Sequence, residues 1–165
     1  MTPQDEVTPL DEALIRECYE LARQSAEQGD HPFGALLLSG GKVVLKATNS
    51  VLTGHDVTRH AERMLITAAC EKLSPDELTA STLYTSTEPC VMCAGAIYWA
   101  RVPRVVYGVN ATSLARLAQP HEVKFAIPCR DVYERIEPTV DVVGPVLEEE
   151  GLAVHRRYWP KILGL

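Results

Sequence analysis

The chain of 165 residues has the length of one domain, because soluble domains usually hold roughly 100–200 residues. Its 46% hydrophobic and 23% charged residues are typical of globular proteins, and no apolar run approaches the roughly 20 residues that span a bilayer. The formal net charge of −6 disfavours a nucleic-acid partner, since binding to phosphates usually requires a basic patch. We expect no membrane partner, and the acidic N-terminus without an apolar secretory core makes the cytoplasm the expected location.

Helical and strand patterns alternate in the first half of the chain. Apolar residues at helical spacing predict a helix from Leu10 to about Gln28. Two β-rich runs joined by the Ser-Gly-Gly turn at 39–41 predict a hairpin. A second helix is predicted from Ala61, and Pro75 lies beyond its end.

The second half of the chain continues the alternation, with one gap. The predicted elements are a strand at 81–87, a largely apolar and therefore buried helix at 91–100, a strand at 104–109, a helix at 131–136, a strand at 140–144 and a closing helix at 145–159. The closing helix begins with acidic and ends with basic residues, which suits the helix dipole. Residues 111–129 give no clear pattern. The alternation predicts an α/β fold with parallel neighbouring strands.

Three residues with metal-binding side chains follow a spacing typical of a catalytic zinc site. His60 is followed thirty residues later by Cys90 and Cys93. One imidazole and two thiolates provide three tetrahedral ligands and leave a fourth position open, as catalytic zinc sites do. The two cysteines are three apart in the first turn of a predicted helix that follows Pro89, so both can face one ion.

Glu62 lies two positions after His60, off the face of the helix that would hold a ligand. We therefore predict that its carboxylate moves protons beside the metal. Both His60 and Cys90 lie at predicted helix starts, whose positive potential favours the thiolate form of cysteine. Two alternatives stay open: a redox pair formed by the two cysteines, or a structural zinc site closed by Cys129 or a histidine.

The remaining cysteines and histidines carry weaker signals. Five cysteines, an odd number, indicate reduced thiols rather than a disulfide framework. We expect Cys129 to be buried. The histidines outside the motif are expected at the surface or in loops: His31, His55, His121 and His155.

The order His-x-Glu followed by Pro-Cys-x-x-Cys is the known signature of zinc-dependent deaminases. The chain resembles the cytidine/deoxycytidylate deaminase superfamily, in the branch of cytosine, guanine and tRNA adenosine deaminases. The resemblance runs from about Leu14 to Val109 and is carried by HPFGALLL, the Asn49 loop, HAERM and LYTSTEPCVMCAGAIYWARVPRVVYG. It implies one deaminase domain over residues 1–165, a three-layer α/β/α fold with a mixed five-stranded sheet, and a homodimer. It also implies Zn²⁺ on His60, Cys90 and Cys93, with Glu62 as proton carrier.

The same resemblance implies how a substrate is held. Asn49 would hydrogen-bond the substrate ring, since its amide both donates and accepts. Phe33 would wall the pocket or stack on the base, and the backbone N–H of Ala61 would stabilise the developing alkoxide. Tyr158 and Trp159 would close the pocket, as C-termini do in cytosine and guanine deaminases.

The expected reaction is hydrolytic deamination of a free nucleobase or nucleoside, with release of ammonia. The segments PFGA and GAIYWAR are more similar to guanine deaminases, which favours guanine-type purines. Cytosine deamination, or deamination of adenosine in a tRNA anticodon loop, are the alternatives. The excess of 22 acidic over 16 basic residues makes the tRNA alternative the less favoured one.

Overall fold

A mixed five-stranded sheet organises the fold. The computed structural model describes residues 6–118 and 126–163. In chain order, the described elements are α1 (Pro9–Glu27), β1 (Gly34–Ser39), β2 (Lys42–Thr48), α2 (Ala61–Lys72), α3 (Pro75–Thr79), β3 (Ser81–Thr87), α4 (Val91–Trp99), β4 (Arg104–Val109), α5 (Ala111–Ala118), α6 (Cys129–Tyr133), β5 (Asp141–Val143) and α7 (Glu148–Leu163).

The strand order is β2-β1-β3-β4-β5. Strand β1 runs antiparallel to both β2 and β3, while β3, β4 and β5 are parallel neighbours. The predicted hairpin is confirmed: Gly40 and Gly41 take φ values of 57° and 74°, which only glycine adopts readily. The predicted parallel neighbours are confirmed for the second half of the sheet, and the hairpin makes the sheet mixed.

Helices cover both faces of the sheet, which confirms the three-layer architecture. Alternate residues of each strand point to opposite faces. On one face, Leu37 and Leu83 pack with residues of α2, α4 and α6. On the other face, Leu36 and Tyr84 pack with residues of α1 and α7. Both faces of the sheet therefore bury apolar side chains. Neighbours in one strand, such as Leu36 and Leu37 of β1, belong to different cores.

A buried carboxylate fixes the start of α1 against the sheet. Thr8 caps the helix and exchanges hydrogen bonds with Asp11, which is 1% exposed. The hydroxyl of Tyr84 in β3 donates to Asp11 Oδ1 at 2.8 Å, and the guanidinium of Arg104 in β4 donates to the same oxygen at 3.3 Å. Burial alone would raise the pKa of Asp11, but these hydrogen bonds outweigh it and hold the pKa below its usual value.

The structure differs from the sequence predictions in two respects. Helix α4 is not fully buried: Trp99 at its end is 81% exposed. The short helices α3 and α5 were not predicted, because neither carries a long apolar period. The unassigned stretch 111–129 includes α5, and residues 119–125, with His121, lie outside the described residues. None of the described helices is both long and apolar enough to cross a membrane.

Candidate active site

Two helix N-termini bring the three metal-binding side chains together, as predicted. His60 is the N-cap of α2, Cys90 is the N-cap of α4, and Cys93 lies in the first turn of α4. His60 Nδ1 lies 3.6 Å from the Sγ atom of each cysteine. A tetrahedral zinc ion with bonds of about 2.0–2.1 Å to nitrogen and 2.3 Å to sulfur has N···S edges of about 3.6 Å. The side chains therefore fit a three-ligand zinc site.

The group has no fourth protein ligand among the described residues. The three ligand atoms lie within 4.8 Å of one another, and Cys129 is not part of the group. Instead, the backbone N–H of Cys129 donates to a carboxylate oxygen of Glu88 at 2.8 Å. This arrangement fits an open catalytic site better than a closed structural one.

The two thiols cannot both ionise easily without a cation. Hydrogen bonding with Cys93 lowers the pKa of Cys90 to about 4, and His60 contributes in the same direction. The same contact with Cys90, together with burial, raises the pKa of the Cys93 thiol well above its usual range. A divalent cation between the two sulfurs stabilises both thiolates at once, which is the chemistry expected of this donor set.

Glu62 lies beside the metal-binding group and is 6% exposed. Its Oε2 atom accepts a hydrogen bond from the Cys93 thiol, with an Sγ···O distance of 3.8 Å. Burial raises the pKa of Glu62 to about 7. A carboxyl group with a pKa near neutrality can both accept and release a proton at physiological pH.

A cavity of about 450 Å³ opens beside these groups, within the size range of small-molecule sites. Its described walls come from the loop before β1, the end of β3, the start of α4, helix α5, residues 126–127 and the end of α7. No Lys or Arg occurs among the described lining residues. The cavity therefore offers no basic side chain from the described ranges to a phosphate group.

Aromatic rings form one side of the cavity. Phe33, His31 and Trp159 all line it, and the rings of His31 and Trp159 lie 5.5 Å apart. Tyr158 does not line this cavity; it faces a separate groove of about 590 Å³ between α1 and α7. Of the predicted C-terminal aromatic pair, the structure thus places only Trp159 in the cavity wall.

Comparison with known proteins agrees with this geometry. The sequence profile described as "Cytidine and deoxycytidylate deaminase zinc-binding region" matches residues 8–109. The chain belongs to this deaminase family. It is an enzyme, a zinc-dependent hydrolase that acts on C–N bonds, and Zn²⁺ is its cofactor.

Individual relatives differ in the substrate that their names give. The chain is 34% identical over 157 residues to a probable cytosine deaminase of Schizosaccharomyces pombe. This alignment covers 93% of the chain and 95% of the relative. It is 34% identical over 146 residues to a tRNA-specific adenosine deaminase of Bacillus subtilis, and this alignment covers 85% of the chain and 83% of the relative. The solved structure of guanine deaminase from Nitrosomonas europaea superposes with a TM-score of 0.74 at 26% identity, covering 93% and 85%.

Two predicted substrate contacts of this deaminase, Asn49 and Ala61, are not among the cavity-lining residues. Asn49 is 2% exposed; its Oδ1 accepts from the N–H of Val51 at 3.0 Å and its own N–H donates to the carbonyl of Phe33. None of the described residues accepts a hydrogen bond from Asn49 Nδ2. Ala61 is the first residue of α2, in the turn whose N–H groups have no acceptor within the helix, and it is 0% exposed.

Sequence reasoning missed the role of Glu88. This residue lies directly before Pro89, is 5% exposed, and lines the cavity of the deaminase. Its two carboxylate oxygens accept from the N–H groups of Ala111 at 2.9 Å and Cys129 at 2.8 Å. Glu88 therefore joins the starts of α5 and α6 to the strand that precedes the metal-binding helix. Its place in the motif brings it near the site, but only the fold shows its two partners.

The expectation that His155 lies at the surface or in a loop is wrong. His155 is in α7 and 1% exposed, because α7 packs against the sheet with this side turned inward. Burial lowers the pKa of His155 to about 4, so its imidazole is neutral. The expectation for His31 holds in part, since His31 is in a loop, but its ring also lines the cavity.

Proposed function

We propose that residues 1–165 act as one deaminase domain that hydrolyses the exocyclic amine of a free nucleobase or nucleoside, with guanine-type purines preferred. The observation that carries this proposal is the position of Glu62, which lines a cavity with aromatic walls beside His60, Cys90 and Cys93. The reaction converts an amine and water into a carbonyl group and ammonia. The cavity size and the absence of Lys and Arg from its described walls support an uncharged small substrate.

His60, Cys90 and Cys93 are the residues that we assign as zinc ligands. The chemistry that Zn²⁺ supplies at such a site is activation of a water molecule, whose pKa falls toward about 7. The distances of 3.6 Å between the imidazole nitrogen and both sulfurs support this assignment.

Glu62 is the residue that we assign to proton transfer. Its carboxylate takes one proton from the attacking water and gives it to the ring nitrogen next to the attacked carbon. It then takes the proton of the newly added hydroxyl group and gives it to the amine, which leaves as ammonia as the carbonyl forms. Its pKa of about 7 supports both roles, because neither protonation state is strongly preferred at neutral pH. Its burial keeps bulk water from exchanging the proton between steps.

The substrate ring is held between aromatic and polar groups. Phe33 and Trp159 provide the apolar faces against which a planar base packs. Asn49 Nδ2 is a donor without a partner among the described residues, and we assign it to an acceptor on the ring. The N–H of Ala61 is assigned to the developing oxyanion, since it lies in the first turn of α2 beside His60.

The deaminase is also proposed to be a homodimer, as the family resemblance implies. The outward face of α4 is the surface that we assign to the second copy. Trp99 is 81% exposed there, and the neighbouring ring of Tyr98 lies 5.3 Å away. A largely exposed tryptophan beside a half-buried tyrosine is typical of an interface, where aromatic residues are enriched.

The test is ammonia release from the zinc-loaded protein with guanine, guanosine, adenine, adenosine, cytosine and cytidine, each alone. Turnover of guanine or guanosine above the others supports the proposal. Turnover of cytosine alone contradicts the purine preference and agrees with the relationship to the S. pombe protein. If all six are inert and an anticodon stem-loop is deaminated with steep salt dependence, the tRNA alternative is correct.

A further inference from the structure

We propose that His155 is a positioning residue, which holds the indole of Trp159 in the cavity wall and thereby sets how tightly the base is bound. This inference rests on the proposed function, because it assigns Trp159 to substrate binding. His155 itself is not among the cavity-lining residues. It acts through its hydrogen bond to Trp159, which does line the cavity.

The hydrogen bonds of His155 determine its tautomer. The Nε1–H of Trp159 donates to His155 Nδ1 at 3.1 Å. An indole nitrogen can only donate, so Nδ1 must be the unprotonated, accepting nitrogen. The neutral ring then carries its proton on Nε2, which donates to the hydroxyl oxygen of Thr87 at 3.4 Å. Both ring nitrogens are occupied, so His155 has no free nitrogen with which to carry protons for the reaction.

His155 connects three residues of the cavity wall. Phe33, Thr87 and Trp159 all line the cavity, and they come from the loop before β1, the end of β3 and the end of α7. The ring of His155 lies 5.4 Å from that of Phe33 and is nearly parallel to that of Trp159, at 7° and with the centroids 6.5 Å apart. The buried imidazole of His155 therefore connects α7 to β3, the strand that precedes the metal-binding helix α4.

The last turn of α7 lacks one backbone hydrogen bond, so the bond between Trp159 and His155 matters for the position of the indole. Pro160 lies within the helix and has no N–H, so it cannot donate to the carbonyl of Arg156. The backbone therefore holds Trp159 less firmly than it holds residues in the middle of α7. The bond from the indole to His155 supplies a fixed side-chain contact one helical turn earlier in the chain.

Two substitutions of His155 separate its hydrogen bonds. His155→Asn places an amide oxygen near the position of Nδ1 and can still accept from Trp159. His155→Gln places its amide near the position of Nε2, can still donate to Thr87, and leaves the indole N–H without an acceptor. Both remove the ring, and they differ in which bond is kept: the Asn variant retains the bond to Trp159, whereas the Gln variant retains the bond to Thr87.

The kinetic test compares these variants with Trp159→Phe, which keeps an aromatic face but has no N–H. With guanine as substrate, we expect His155→Gln and Trp159→Phe to raise KM by roughly 2- to 10-fold with kcat little changed. The KM of His155→Asn is expected to remain closer to that of the parent. The double variant, which combines His155→Gln and Trp159→Phe, should have a KM no higher than that of the single variant with the higher KM, since both substitutions remove the same bond.

A second measurement is independent of turnover. The chain has two tryptophans, so Trp99→Phe leaves Trp159 as the single tryptophan, which can be excited selectively over the six tyrosines. In that background, His155→Gln is expected to shift Trp159 emission to the red and increase its quenching by acrylamide, while His155→Asn leaves both near the parent values. Circular dichroism and zinc content confirm that each variant is folded.

Equal emission and equal quenching for the Asn and Gln variants would overturn the proposal. If the parent protein turns over no base, the proposed function fails, whereas the fluorescence comparison still decides the role of His155. If fluorescence separates the two variants but KM does not, Trp159 is positioned by His155 without binding the base, and the inference is wrong in its functional part.

Discussion

Glu62 and Glu88 line the same cavity, are almost equally buried, and accept hydrogen bonds from different kinds of partner. The two oxygens of Glu88 accept from the N–H groups of Ala111 and Cys129, whereas Glu62 accepts from its own backbone N–H, from Thr85 and, over 3.8 Å, from the Cys93 thiol. The two N–H donors hold the side chain of Glu88 in one position, while burial raises the pKa of Glu62 to about 7. One carboxylate is thus suited to proton transfer and the other to holding the wall together.

Replacement of Glu62 by Gln is expected to lower kcat by about 10²–10⁴-fold, the usual contribution of a general acid–base. Zinc content should stay at the parent level, because Glu62 is not a ligand. Glu71→Gln is the matched control: it changes an exposed residue of the same helix, and kcat should be unaltered. Undiminished ammonia release by zinc-loaded Glu62→Gln would mean that another group moves the protons.

Replacement of Glu88 by Gln is expected to destabilise the fold by about 1–3 kcal/mol. The amide provides one acceptor where the carboxylate provides two, so one of the N–H groups of Ala111 and Cys129 faces an NH₂ group. Urea unfolding measures the change. Glu134→Gln, an exposed carboxylate on the far end of α6, serves as the control and should shift the free energy of unfolding by less than about 0.5 kcal/mol.

Removal of the metal is expected to abolish activity and lower the unfolding temperature, because the ion links the starts of α2 and α4. The parent protein should contain one zinc ion per chain by elemental analysis. Cys90→Ser should lose most of it, whereas Cys70→Ser, at an exposed position of α2, should retain it. A redox pair would instead show a Cys90–Cys93 disulfide and no stoichiometric zinc.

His155 is expected to make the fold sensitive to acid. Burial lowers its pKa from 6.5 to about 4 in the folded state, so the folded protein binds fewer protons than the unfolded chain between these values. Stability is therefore lost as pH falls from about 6.5 toward 4, by about 3 kcal/mol in total. The free energy of unfolding of the parent minus that of His155→Asn, measured by urea at each pH, isolates this contribution. A pH-independent difference would show that His155 is not buried as a neutral ring.

The assignment of α4 to a homodimer interface predicts that Trp99→Glu yields monomers. The introduced charge would be buried against the second copy, which is unfavourable without a partner. Sedimentation velocity measures the change in mass. Leu10→Glu is the control, because Leu10 is 53% exposed and lies in α1, which packs on the face of the sheet opposite to α4. A dimer that persists in Trp99→Glu would place the interface elsewhere.

Local sequence patterns were enough to identify much of this enzyme. Two cysteines three residues apart must face the same side of a helical turn, so their joint use as ligands follows from spacing alone. The helices α1, α2 and α4 and the strands β1 to β4 follow from apolar periods and turn residues, which depend only on neighbouring positions. The family signature then carries the reaction class.

Tertiary contacts decided the rest, because they join residues that no local period relates. His60 meets Cys90 across thirty residues only because α2 and α4 begin at the same end of the sheet. The sequence could not show that Trp159 faces the cavity while Tyr158 faces another groove, since both are apolar residues of one helix. It also gave no sign that His155 is buried, because burial depends on which side of α7 the sheet covers. The chemistry was readable from residue types and spacing, whereas the walls that receive the substrate are set by how distant elements pack.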